Sequence, residues 1–409
     1  MFSERTNWRL AQNRFTQAVE EARACGAKLL DLTASNPTRV GLKYDATAIL
    51  GALRSERAVD YDPQARGLLA AREAVAGYYA EKQSGGVDPE KIVLTASTSE
   101  GYSYVFRLLC NAGDELLVPK PSYPLFEFLA DLQDVKLVPY PLIYDHGWQL
   151  DFHSMEKAVT AKTRGVVIVH PNNPTGSYVK SSELDPLNTF CRDHQLALIM
   201  DEVFLDYELE NSGDNPHPLK AGVVGSRQSA AASKAESFVS NRQVLTFTLS
   251  GLSKISALPQ MKMAWVVTSG PDDIVQEAMA RLEVIADTYL SMNAPIQWAI
   301  STLLAQRCDI QRQLTQRVQR NLVELDRQLA EQKSCQRLQV EGGWYAVLRV
   351  PVTRSDEELA IELVREKSVV VHPGHFYDFE SDGYLILSLI PEVQEFREGA
   401  SRVLGLLNS

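Results

Sequence analysis

Ser250-Gly251-Leu252-Ser253-Lys254-Ile255-Ser256-Ala257-Leu258-Pro259-Gln260-Met261-Lys262-Met263-Ala264-Trp265 is the stretch on which the rest of the chain turns. A β-prone apolar run, residues 244–249, feeds into it, and a second, residues 263–267, leaves it. Strand, lysine-bearing loop, strand is an arrangement that holds an amine against a carbonyl. A lysine enclosed in such a loop loses the hydration of its ammonium, which lowers its pKa and frees the amine for Schiff-base chemistry. A loop lysine taken singly is most often a surface charge. The reading of Lys254 therefore depends on what the other loops carry.

Bulk properties set the frame. A chain of 409 residues exceeds what one small core holds, so two domains are expected. Hydrophobic residues at 45% and charged residues at 23% are ordinary for a soluble globular protein. The net charge of -11 repels phosphate backbones and anionic lipid, which excludes nucleic acid and membrane surfaces as expected partners. Five cysteines, scattered and without a CxxC spacing, read as reduced thiols of a cytoplasmic protein, with neither disulfide nor metal site. The first residues are polar and lack the apolar core of a signal peptide, and no apolar run reaches the length of a membrane span.

Along the chain, residues 13–25 have helical spacing, with Phe15, Val19 and Ala22 on one face and Gly26 as the stop. Two rigid polar turns follow, Ser35-Asn36-Pro37-Thr38-Arg39 and Tyr61-Asp-Pro-Gln-Ala-Arg66-Gly67, the second leading into a helix over 68–82. A brief strand at 92–94 ends in Thr95-Ala-Ser97-Thr98-Ser99, before a helical pattern over 102–110. Strand, hydroxyl-rich turn and helix suit a phosphate, because the first helical amides lack internal partners; the plainer reading of any one hydroxyl is an N-cap. Apolar runs at 116–118, 135–138, 166–169, 196–200 and 244–249 alternate with helical patterns. Such runs indicate a mainly parallel sheet covered on both faces, with its chemistry at the carboxyl ends of the strands. Those ends read Pro119-Lys-Pro-Ser-Tyr123-Pro, His170-Pro-Asn-Asn173-Pro-Thr-Gly176 and Asp201-Glu-Val-Phe204. Residues 208–243 show no period and read as a long exposed excursion. A bent or broken helix over about 296–329 leads to a last α+β segment with strands at 344–350, 369–371 and 384–389 and helices near 357–366 and 394–407.

Together these motifs, in order and over nearly the whole chain, resemble the aspartate-aminotransferase-like class I/II aminotransferases, the fold-type-I enzymes that use pyridoxal 5'-phosphate (PLP). The resemblance implies an α/β fold with a large PLP-binding domain and a smaller α+β domain built from both chain ends. It divides the chain into an arm and part of the small domain (1–45), the large domain (46–290), a connecting helix (291–330) and the small C-terminal domain (331–409). It implies that Lys254 forms the Schiff base, that Asn173 bonds the ring oxygen, that Asp201 pairs with the ring nitrogen and that Tyr123 stacks on the ring. Ser97, Thr98, Ser99 and Ser250 match the phosphate cradle. Tyr61 matches the tyrosine that reaches the neighbouring subunit's phosphate, implying a homodimer. Asn36 and the position of Ile386 fall where the substrate is expected. The implied activity is ping-pong transfer of an amino group between an amino acid or amine and a keto acid; the alternatives are a PLP-dependent lyase or decarboxylase, and a non-catalytic PLP-binding homologue.

Three positions depart from the family pattern. Lys262 replaces the arginine that grips the cofactor phosphate, exchanging a bidentate fork for a point charge. Phe204 replaces a tyrosine and so lacks one hydrogen bond to the ring oxygen. Ile386, in Gly383-Tyr-Leu-Ile386-Leu-Ser388, replaces the arginine that takes the substrate α-carboxylate. Arg39, Arg66 and Arg349 are the candidate replacements for that cation, and a substrate without a carboxylate there is the other possibility.

Overall fold

The computed structural model describes residues 1–8, 10–82, 86–209 and 235–408. Strand β1 (Leu30–Asp31) stands apart from the central sheet, which takes β2 (Ile92–Thr95), β3 (Glu115–Lys120), β4 (Lys136–Tyr144), β5 (Trp148–Leu150), β6 (Thr163–Val169), β7 (Ala197–Asp201), β8 (Thr246–Gly251) and β9 (Ala264–Ser269). Their order is β2-β9-β8-β7-β6-β3-β4-β5. β8, β7, β6, β3 and β4 run parallel to one another, whereas β9 is antiparallel to both β8 and β2, and β5 to β4. Two reversals restore the direction, so β2 points the same way as β8. The carboxyl ends of β2, β3, β6, β7 and β8 consequently share one edge.

Burial explains the composition of these strands. Every residue of β8 and β9 is buried, and β6 and β7 each leave one position only half-buried. A strand covered on both faces needs a continuous apolar run rather than an alternating one. Phe247, fully enclosed in β8, alone represents about 2–3 kcal/mol of burial.

The second unit is an antiparallel sheet of β10 (Gln336–Arg337), β11 (Tyr345–Arg349), β13 (His372–Pro373) and β14 (Tyr384–Ser388), in the order β10-β11-β14-β13. β12 (Val369–Val370) pairs in parallel with β1, so residues near both ends of the chain meet here. The helices Arg14–Ala24, Asp356–Lys367 and Val393–Leu407 cover this unit in one continuous core with Trp344, Ile386 and Phe396. Gly176 turns the chain toward it: its φ of +70° is left-handed, and a Cβ there would lie 2.5 Å from the Gly342 carbonyl.

Several elements differ from the sequence reading. The helix after β2 begins at Thr98, four residues earlier than its apolar spacing suggested, because Ser97 caps it. β4 runs on to Tyr144, and the helix Asp272–Tyr289 was not anticipated. The charged helix is broken at Gln306 into Ala294–Ala305 and Arg307–Leu329. Most of the excursion, residues 210–234, lies outside the described residues, but part of its far end is buried. Ser237, Phe238 and Val239 are buried, with the Ser237 hydroxyl (2.6 Å) and the Phe238 amide (2.7 Å) donating to the Glu202 carboxylate.

Candidate active site

Lys254 sits on a single helical turn, Leu252–Ile255, directly after β8. Its carbonyl accepts a 2.6 Å hydrogen bond from the Tyr207 hydroxyl, which fixes the turn. Its Nζ lies 4.9 Å from the Trp344 ring centroid and 5.3 Å from that of Phe204. Those rings pack edge to face at 5.1 Å. Burial removes the ammonium's hydration and lowers the lysine pKa to about 8, opposed only by attraction to Asp201. Near neutral pH an appreciable fraction is therefore free amine.

Asp201 ends β7 on the same edge. The Val203 amide donates to its Oδ1 at 3.1 Å and the Tyr102 hydroxyl to its Oδ2 at 2.9 Å. Burial raises its pKa, while those two bonds and the Lys254 charge pull it down. A cation brought beside it would hold it ionised. Asn173, after β6, is 9% exposed, and its side-chain oxygen is buried with no hydrogen-bond partner among the described residues; Asn172 leaves its amide nitrogen in the same condition. An unsatisfied buried amide beside a buried carboxylate marks a place made for a polar ligand. His170, two residues earlier than Asn172, serves the scaffold. The Val179 amide donates to its Nδ1 at 3.1 Å, its Nε2 lies 3.2 Å from the Glu236 carbonyl, and burial lowers its pKa to about 3.

On the phosphate side, Ser97 is the N-cap, its Oγ accepting from the Glu100 amide at 3.2 Å, and Thr98 and Ser99 open the helix. Ser250 is sealed, with its hydroxyl 3.4 Å from the Glu202 carbonyl. Lys262 stands exposed in a left-handed conformation (φ 49°) just before β9. Tyr123 follows β3 half-exposed, its phenol pKa raised by partial burial and then by Asp201. Tyr61 is 81% exposed and joins none of these groups within the chain.

The remaining wall comes from three aromatic residues of the second unit to which the sequence reading assigns no role. Trp344 and Tyr345 at the start of β11, and Tyr377 after β13, are buried. Burial raises the pKa of the Tyr345 and Tyr377 phenols, and repulsion from Tyr123 adds to it in both, which places the three together. Two glycines preceding the Trp-Tyr pair were the available signal, since they let bulky rings approach a loop closely. Ile386 is fully buried in β14, opposite Val347 on one side and His372 on the other. Asn36 is exposed, and its Oδ1 is occupied by the amide and hydroxyl of Thr38. Its carbonyl oxygen thus builds the turn.

Comparison with known proteins agrees with this architecture. A family model described as aminotransferase class I and II matches residues 28–392. The glutamate-pyruvate aminotransferase AlaA of Haemophilus influenzae is 26% identical over 394 residues, 94% of this chain and 91% of the relative. An alanine aminotransferase of Mycobacterium tuberculosis is 25% identical over 412 residues, 96% of this chain and 89% of the relative. Among solved structures, an alanine aminotransferase from Pyrococcus furiosus superposes with a TM-score of 0.86 at 20% identity, over 100% of both chains. A Thermus thermophilus aspartate aminotransferase mutant gives 0.81 at 20%, again over 100% of both. The fold is fold type I.

Proposed function

This chain belongs to the class I and II aminotransferase family, and we propose that its amino transfer runs on pyridoxal phosphate held covalently by the Lys254 amine. The enzyme class follows from the family; the cofactor, the residue roles and the substrates are our reading. One observation carries it: the buried Lys254 amine and the buried Asp201 carboxylate share an enclosure in which the neighbouring Asn173 side-chain oxygen has no partner among the described residues.

The donor set fits the cofactor. Asp201 would pair with the ring nitrogen, the Asn173 amide would donate to the ring oxygen, and the Tyr123 ring would lie against the pyridine. Thr98 and Ser99, at a helix start, and Lys262 would take the phosphate dianion, with Ser97 holding the helix end in place. When bound, the cofactor supplies a sink for the electron pair left on the substrate α-carbon after its proton departs. The chain supplies the rest. Once the substrate's own amine has replaced it on the cofactor, the freed Lys254 Nζ would take that proton and return it. Phe204 and Trp344 keep water from the amine, and Tyr207 keeps its turn in place.

The substrates are an amino acid and a 2-oxo acid. Relatives named for glutamate-pyruvate and alanine transfer make L-alanine and pyruvate the first pair to test. Tyr61, exposed on the monomer, is read as a contribution to a second subunit's site, and the protein as a homodimer of the cytoplasm. No helix among the described residues is long and apolar enough to cross a membrane. We place the domain boundaries at about residues 45, 290 and 330.

The test is absorption spectroscopy of the purified protein with added PLP. The protein-bound cofactor band should form, and L-amino acids without acceptor should convert it with release of the matching 2-oxo acid. Lys254→Ala should show neither band nor conversion. A persistent covalent band in Lys254→Ala would sink the assignment.

A further inference from the structure

Resting on the aminotransferase reading, the question is what meets the substrate carboxylate, since β14 offers it nothing. Ile386 is fully buried between Val347 and His372. Among the described residues the hydrogen-bond partner of His372 is the Tyr377 hydroxyl at 3.0 Å, and burial lowers its pKa to about 4 against the pull of Asp31, so it is neutral. A carboxylate set against this strand would meet hydrocarbon and an uncharged ring, an unfavourable burial of charge.

Of the three arginines suggested by sequence, one is committed elsewhere and one sits at the wrong end of β14. Arg66 reaches Glu90 at 2.7 Å, Glu283 at 3.4 Å and the Glu90 carbonyl at 2.8 Å. Arg349 lies opposite Tyr384, at the other end of β14 from Ser388.

Arg39 differs in both respects. It lies on a strap, residues 34–44, fixed at two places that matter. At one end, the Ser388 hydroxyl donates to the Ala34 carbonyl at 2.5 Å and the Ser388 amide to the Leu32 carbonyl at 2.7 Å, two residues from Ile386. At the other, the Tyr44 hydroxyl donates to the Ala257 carbonyl at 3.0 Å, three residues past Lys254. Between them, Arg317 Nη1 clamps the carbonyls of Val40 and Ile390, each at 3.2 Å. Pro37 and Val40 are buried, and Asn36 caps the turn that carries Arg39. The Arg39 side chain is exposed, with no ion pair or hydrogen bond among the described residues. A strap tied to β14 at one end and to the lysine's loop at the other thus bears an unpaired guanidinium.

We propose that Arg39 binds the substrate α-carboxylate, replacing the cation that Ile386 lacks. A guanidinium matches a carboxylate bidentately, and presenting it from the strap instead of from β14 leaves the sheet core apolar.

The experiment follows the cofactor absorbance of the PLP-loaded enzyme, without acceptor, during titration with a panel of L-amino acids and with amines that lack only the α-carboxylate. Arg39→Ala should raise the half-saturating amino-acid concentration roughly tenfold to hundredfold, the worth of a charged hydrogen-bonded contact. Its response to the amines and its resting spectrum should match the parent's. Arg39→Lys should recover part of the loss, and Arg39→Ala combined with Ile386→Arg should recover more. Half-saturation in Arg39→Ala within about twofold of the parent, or equal weakening toward amino acids and amines, would overturn the proposal. A parent that responds only to amines also overturns it, while leaving amino transfer standing. A parent that responds to nothing ends the aminotransferase reading and this proposal together.

Discussion

Lys254 and Asp201 are each driven toward neutrality by burial and toward charge by the other. For the lysine, a folded pKa of about 8 lies below the ordinary 10.5, so the native state holds fewer protons than the unfolded chain between those values. Stability of the cofactor-free protein should therefore rise with pH across that window and be lowest below about 8, where an enclosed ammonium is carried at a cost. Lys254→Met, which removes the charge at similar length, should stabilise the cofactor-free protein at neutral pH by about 1–3 kcal/mol. The gain should fade above the ordinary lysine pKa, which paired thermal melts would measure. At this scale the sequence was most informative where a strand end carries a compact motif. Lys254, Asp201 and Asn173 were legible because the fold brings parallel strand ends to one edge. Trp344, Tyr345 and Tyr377 were not, because they arrive from another sheet, and the two glycines before Trp344 signal a close approach without saying to what.

Among the elements, continuous apolar runs found β6, β7, β8 and β9 because full burial writes itself into composition. β4 was read short because Pro139 and Pro141 interrupt it and most of its residues are only partly covered. The helix Asp272–Tyr289 carries a stripe of Val275, Ala278, Met279, Leu282 and Ala286, a legible 3.6-residue period that was overlooked. The segment after residue 234 depends on Glu202, whose pKa burial raises from 4.5 to about 7 against the pull of Ser237 and Phe238. The folded state then binds more protons than the unfolded chain between those values, so this group's contribution falls as pH rises through them. Glu202→Gln should flatten the stability profile over that interval. Ser237→Ala should cost about 1–2 kcal/mol by withdrawing a donor from a buried carboxylate. Denaturation across a pH series checks both.

For the molecule as a whole, the architecture was legible in outline because alternating apolar runs and helices admit few arrangements. The strap was not, since Asn36-Pro37-Thr38-Arg39 reads only as a turn until β14 is placed beside it. The reading of Tyr61 belongs to this scale too. Sedimentation should give a two-chain particle, and Tyr61→Phe should weaken retention of PLP during dialysis while leaving that particle intact. Retention equal to the parent's would remove Tyr61 from the neighbouring site.

The pairing of β1 with β12, and of Ser388 with Leu32 and Ala34, also sets an order in time. The ribosome makes residues 30–34 early and the partners they find in β12 and β14 more than three hundred residues later. At about 5–20 residues per second, that interval is roughly 20–70 seconds. During synthesis the large sheet gathers its strands while this early segment still lacks its partners. Nascent chains halted before β14 should then carry Lys254 and Asp201 on a folded sheet, yet leave residues 30–34 open to protease until translation resumes.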